Sequence, residues 1–405
     1  MNAGLARCHP PLEGEGKGRP FAAEGSPGWG DGEAAGDGGA VYVEALSPPP
    51  GPLTRADLPP AEPRYSEGSA TQQSDRSRQQ PTSVGGGGAL GVDKEQDAPP
   101  LPAGRMCPLD YFYDPAVFTR RVDFSADILY VAGGLYGNLA AADAIERLAA
   151  AERGNVAIVY NGDFHWFDAE DEWFDAVERV VTPHRALRGN VETEIARASD
   201  IGAGCGCAYP SGVADDVVMR SNLILSELRG VAARAPAARA RVSGLPMHLV
   251  AEVGGRRVGI VHGDATSLAG WGFTRENLVA APPATLADLR ARSHIDVFAS
   301  THTCLALLHD AALPNGRLTV INNGAAGMPN FKGTRHGLIS RIATTRSPHG
   351  AVYGLKRDGV HIDALAVGYD HGRFLDRFLA RWPAGTPAHL SYARRILEGP
   401  AYTVA

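Results

Sequence analysis

Carboxylates, asparagines and histidines recur in this 405-residue chain beside glycines or small hydroxyl residues, each just past a short apolar run. They are Gly162-Asp163, Gly189-Asn190 with Glu192 close behind, His262-Gly263-Asp264, Ser300-Thr301-His302 and Asn322-Asn323-Gly324, preceded by Gly133-Gly134-Leu135-Tyr136-Gly137-Asn138. Hard oxygens and imidazole nitrogens are ligands for divalent ions of the kind that clamp a phosphate and activate a water. A single Gly-Asp or Gly-Asn is unspecific; six such loops in order make a pattern. Asp163-Phe164-His165 is itself an Asp-x-His, so His165 could enter a site around Asp163 or pack with Trp166-Phe167. Tyr136 could ligate as a phenolate or fill a void, and Asp264 could add a carboxylate or cap a turn. Cys205-Gly206-Cys207 lacks the second pair of ligands that a structural zinc needs. Cys304 reads as a small buried residue, and Arg335-His336 as a surface pair within reach of a phosphate.

The elements that must position these residues follow from the apolar periodicity. Stretches 127–132, 156–160, 295–299 and 318–322 are predicted as buried strands. Stretches 248–253 with 257–262, and 351–356 with 361–367, are predicted as hairpins turning on Gly254-Gly255 and Asp358-Gly359. Helical spacing marks 139–151, 171–181, 215–231 and 286–292. Early strands alternate with helices and later ones form hairpins, which predicts an α/β fold with a mixed sheet or two packed sheets. Open α/β sheets bind ligands off the carboxyl ends of their strands. The polar loops all follow strands, so one composite site is expected.

Composition sets the boundaries. Residues 1–105 hold 19 Gly and 15 Pro and lack any sustained apolar period, so they read as a disordered tail, with 41–46 the one strand-like stretch. Met106 is a candidate for the biological start. Residues 106–375 are then the globular domain and 376–405 a C-terminal helical extension. The tail carries a net charge of -5 and the remainder -1, so no basic stripe for nucleic acid is visible. No apolar run approaches the roughly 20 residues of a membrane span, and the N-terminus lacks the apolar core of a signal peptide. Five sparse cysteines suit a reduced, cytoplasmic protein.

The order of loops over about residues 125–370 resembles the calcineurin-like metallophosphoesterase superfamily, and most of all its compact bacterial phosphodiesterase branch. The resemblance implies a four-layer α/β/β/α sandwich with divalent metal (Mn, Mg, Zn or Fe; one or two ions) held between loops at strand ends. Matched to the family pattern, Asp163 falls on the carboxylate that bridges two metals, Asn190 and His262 on ligands of one ion, and His302 on a ligand of the other. Gly134 stands where the family has Asp, Tyr136 where it has His, and Ser300 where it has the first His of Gly-His-x-His. The resemblance implies metal ligation by Asp163, Asn190, His262 and His302. Asn190 and His165 are the candidates for a part in catalysis, and Asn138 and Arg335 for substrate contact. Two functions are open: a phosphoesterase acting on a small phosphorylated substrate through a metal-activated water, or a protein on this fold that binds a phosphorylated ligand or one metal without turnover.

Overall fold

The structure, a computed structural model, describes residues 103–403 together with Leu5–Ala6, which pair antiparallel with Cys107–Pro108. The stretch 41–46 and most of the Gly/Pro-rich segment lie outside the described residues. The folded part includes residues 103–105, just ahead of the expected boundary. Gly104 is buried, Arg105 donates to the carbonyls of Pro210 and Val213 and pairs with Asp215, and Asn222 donates to the carbonyl of Ala103.

Two six-stranded sheets form the centre. The first contains, in chain order, β1 (Phe124–Ser125), β5 (His248–Val253), β6 (Arg256–Val261), β7 (Val297–Ser300), β8 (Leu307–Leu313) and β9 (Gly316–Asn322). Its spatial order is β8-β9-β7-β6-β5-β1, with β9, β7 and β6 parallel neighbours. The second contains β2 (Ile128–Ala132), β3 (Val156–Asn161), β4 (Arg185–Leu187), β10 (Gly337–Ala343), β11 (Ala351–Arg357) and β12 (Val360–Val367). Its order is β11-β12-β10-β2-β3-β4, with β2, β3 and β4 parallel neighbours. Each sheet therefore has three adjacent strands whose carboxyl ends leave on the same edge.

Alternating side chains assign the layers, because successive residues of a strand face opposite sides. Leu129, Val131, Val159 and Leu187 of the second sheet meet Val253, Val258, Ile260, Ala299 and Ile321 of the first in the core between the sheets. The other face of the second sheet, with Ile128, Tyr130, Ile158 and Tyr160, is covered by helices. These are α1 (Leu139–Ala150), α2 (Asp171–Val181), α3 (Asn190–Ala196), α4 (Asp215–Arg234) and α5 (Pro236–Ser243). The other face of the first sheet packs Val250, Phe298 and Val320 on Phe118, α6 (Arg275–Ala280) and α7 (Pro283–Ser293). This is the expected four-layer α/β/β/α sandwich. The C-terminal helices α8 (His371–Arg381) and α9 (Pro387–Glu398) join the same helical layer through Phe374, Phe378 and Ile396. They complete the domain rather than extend it.

Candidate metal centre

Five loops carry the expected residues to one edge of the sandwich. Asn138 follows β2, Asp163 follows β3 and Asn190 follows β4; His262 follows β6 and His302 follows β7. The loops touch through backbone. A Cβ on Gly189 would lie 2.4 Å from Asp163 Oδ1 and 2.8 Å from His262 Cε1, so only glycine lets these loops meet. Asp163 itself has φ +51°, an uncommon conformation for a non-glycine residue, of the kind that clusters at functional sites. Its backbone N–H donates to Glu192 Oε2 at 2.8 Å, and that same oxygen accepts from the N–H of Gly189 at 2.9 Å. Fully buried Glu192 thus pins two ligand loops together. Burial and the neighbouring Asp163 raise its pKa.

His262 Nε2 lies 3.4 Å from Asp163 Oδ1, 3.0 Å from Asn190 Oδ1 and 3.2 Å from His302 Nδ1. Ligand atoms of Asp163, His262 and His302 all fall within 4.8 Å of one another. Around a tetrahedral ion with bonds of about 2.1 Å, neighbouring ligands sit about 3.4 Å apart, so these spacings fit. The tautomers fit as well. His262 Nδ1–H donates to the carbonyl of Asn161 at 2.9 Å, which leaves the Nε2 lone pair facing inward. His302 Nε2–H donates to the carbonyl of Cys207 at 3.2 Å, which turns its Nδ1 lone pair toward His262. Asn190 Nδ2 donates to the carbonyl of Cys205 at 2.9 Å and to Cys207 Sγ at 3.4 Å, so it is the amide oxygen that points at His262. A carboxylate, an amide oxygen and two imidazole lone pairs converge, and outer carbonyls fix the orientation of ligands in this way around metals. Burial lowers the pKa of His262, but the adjacent Asp163 carboxylate outweighs it, and the net shift is upward.

Other expected residues stand elsewhere. His165 does not enter the centre: its Nδ1 bonds Asp168 at 2.5 Å, its Nε2 bonds Glu178 at 3.0 Å, and its ring stacks on Phe174 at 4.0 Å. Burial pulls its pKa down, but Asp168 and Glu178 carry it up to about 9. It is a buried cation holding α2, in place of the catalytic role expected for it. Asn138 caps α1 by accepting from the N–H of Ala141 and donates to the carbonyl of Gly327, so both ends of its amide are engaged in structure. Arg335 is exposed ahead of β10 and takes no part in the hydrogen bonds that tie the centre together. Asp264 caps a turn, accepting from the N–H groups of Thr266, Ser267 and Gly272. Ser300 donates to the carbonyl of Gly263 at 2.6 Å.

The Tyr136 side chain is buried. Burial, then Cys304 and Asp163, hold its pKa well above that of an ordinary phenol. Its hydroxyl meets Cys304 Sγ at 2.8 Å. The loop at Cys205-Gly206-Cys207 roofs the centre, its carbonyls taking the outward donors of Asn190 and His302 while Trp271 Nε1 donates to the carbonyl of Cys207. Sequence reading did not find this role, because it is played by backbone carbonyls that any residue would supply.

No protein-family model matches the chain, and no curated protein matches it. Solved structures resemble it at low identity. A hypothetical protein from Pyrococcus horikoshii is 18% identical with a TM-score of 0.47, over 68% of this chain and 98% of that one. A metallophosphoesterase from Sphaerobacter thermophilus is 15% identical with a TM-score of 0.41, over 67% and 99%. Vps29 from Entamoeba histolytica, solved with zinc, is 14% identical with a TM-score of 0.28, over 60% and 99%. At these identities the chemistry of this chain rests on its own residues.

Proposed function

We propose that this protein is a metal-dependent phosphoesterase that hydrolyses a phosphomonoester or phosphodiester at the Asp163, Asn190, His262 and His302 centre. The observation that carries the reading is the convergence of four lone-pair donors drawn from both sheets, with the two imidazoles and the amide oriented by outer carbonyls. A divalent ion bound there supplies Lewis acidity to a phosphoryl oxygen and lowers the pKa of a water. The chain does the rest. Asp163 brings the negative charge that offsets the cation. The carbonyls of Asn161 and Cys207 hold the two imidazoles in the tautomers that face inward. Asn190 spends both N–H groups on the Cys205–Cys207 loop, so it serves as a ligand rather than as a donor to developing charge. The loop and Trp271 cover the centre and restrict water around it.

A second reading, binding of a phosphorylated ligand or one metal without turnover, is favoured by one feature: Gly134 and Tyr136 offer no ligand where the family pattern has two. Metal analysis of purified protein, with hydrolysis assays on p-nitrophenyl phosphate and its bis ester across Mn, Mg, Zn and Fe(II), separates the readings. Turnover that requires metal and fails in His262→Ala supports the enzyme. Stoichiometric metal without hydrolysis of either ester supports the second reading; absence of metal uptake defeats the enzyme and leaves only metal-free binding of a phosphorylated ligand.

A further inference from the structure

We infer that the centre takes one divalent ion and not two, because the neighbouring position is closed by a Tyr136–Cys304 plug that the C-terminal segment locks in place. The inference rests on the metal-dependent reading above and concerns how many ions that centre holds.

Three observations carry it. The first is the missing ligand pair. Position 134 has no side chain, and the hydroxyl at 136 is engaged with Cys304 Sγ at 2.8 Å. The second is space. A Cβ on Gly134 would lie 2.8 Å from Tyr136 Cε2 and 3.0 Å from its hydroxyl, so the ring occupies the volume into which an aspartate at 134 would project. The third is charge. Arg395 of α9 donates to the carbonyl of Cys304 at 3.2 Å and to that of Pro329 at 3.3 Å. Both partners are neutral, so its positive charge stays beside the Tyr136–Cys304 pair, and a second cation there would meet a like charge in a poorly solvated setting.

The plug is held from outside. Cys304 has φ +55°, and its carbonyl accepts from Arg395 and, at 3.1 Å, from the hydroxyl of Tyr402. Its own N–H donates to the carbonyl of Thr301 at 2.8 Å. That turn, from Thr301 to Cys304, contains the ligand His302. The segment that holds His302 toward the first ion therefore also places the thiol that holds Tyr136 over the second position.

The test uses the full chain, stripped with chelator, reloaded with Mn(II) or Zn(II) and dialysed. Elemental analysis should give one ion per chain, and the Mn(II) form should show the paramagnetic resonance spectrum of an isolated ion. Two ions per chain, or the spectrum of a coupled Mn(II) pair, overturns the inference and leaves the proposed function standing; no ion overturns both. The double substitution Gly134→Asp with Tyr136→His supplies ligands and removes the ring, so its stoichiometry should rise from one to two. A double variant that melts cooperatively and still holds one ion overturns the assignment of the closure to Tyr136.

Discussion

Two histidines near Asp163 show how side-chain identity and backbone geometry divide the work. His262 and His165 are both fully buried and both sit beside carboxylates. His262 keeps a lone pair facing the other ligands, whereas His165 uses both nitrogens on Asp168 and Glu178. The left-handed turn at Asp163 takes the chain away from the centre before position 165, and an Asp-x-His spelling does not reveal that turn. Asp163→Asn keeps the shape but removes the charge that offsets a cation. Elemental analysis should find its metal content reduced to background with secondary structure unchanged; metal retained at the wild-type level would rule out the centre. Glu178 tests the other cluster. Burial raises its pKa, but Arg241 and His165 outweigh that and bring it down to about 2. A depressed carboxylate contributes stability above its unfolded value of about 4.5, and that contribution fades as pH falls toward 2. At about 1.4 kcal/mol per pKa unit, Glu178→Gln should cost on the order of 3 kcal/mol at pH 7. Urea titrations should show the gap to wild type narrowing below about pH 4.5. A gap that stays constant to pH 3.5 would count against the ion pair.

At the scale of elements, the sequence was most legible where burial is simplest. β2 is buried along all five residues and β3 ends in Asn161 just before Gly162-Asp163, so apolar runs closed by glycine gave both the strands and the ligand loops. The strand that completes the second sheet, β10, was missed for a physical reason. It contains Arg341, a residue that normally argues for the surface. Here it is fully buried, bonded to Glu152 at 2.6 Å and to Asp363 at 3.3 Å, partners far away in sequence. β8 was missed similarly, since His309 and Asp310 interrupt its apolar run while Asp310 pairs with Arg317 across the hairpin and with Arg357. α3 was hidden because its residues serve as loop ligands and pins as well as helix. Removing one partner of a buried ion pair leaves the others unpaired at a cost of about 3–5 kcal/mol. Arg341→Ala should therefore lower the urea midpoint by an amount consistent with that loss. A change below about 1 kcal/mol, ordinary for a surface substitution, would mean the cluster contributes little.

For the molecule as a whole, the centre lies where the two sheets meet, and its ligands divide evenly between them: Asp163 and Asn190 follow strands of one sheet, His262 and His302 follow strands of the other. Protein bonds already cross at this point, since Asn161 donates to the carbonyl of Val261 at 2.7 Å and Asn323 donates to those of Gly133 and Leu338. An ion bound by all four ligands would tie the sheets together in the native state alone, because the unfolded chain scatters residues 163 to 302. Ligand that binds only the folded form stabilises it by an amount that grows with the logarithm of concentration, about 2.7 kcal/mol at one hundred times the dissociation constant. For roughly 300 ordered residues, with an unfolding entropy of about 2 cal/mol/K each, that corresponds to about 4 °C in Tm. Chelator-treated protein should therefore melt about 4 °C lower than the same protein with Zn(II) or Mn(II) at that excess, and the shift should continue to grow with added metal. His302→Ala, which removes one ligand from one sheet, should shrink the shift, and Asp163→Asn should abolish it. An equal rise in wild type and Asp163→Asn would show that the metal binds elsewhere on the surface and would remove the cross-sheet centre as its site.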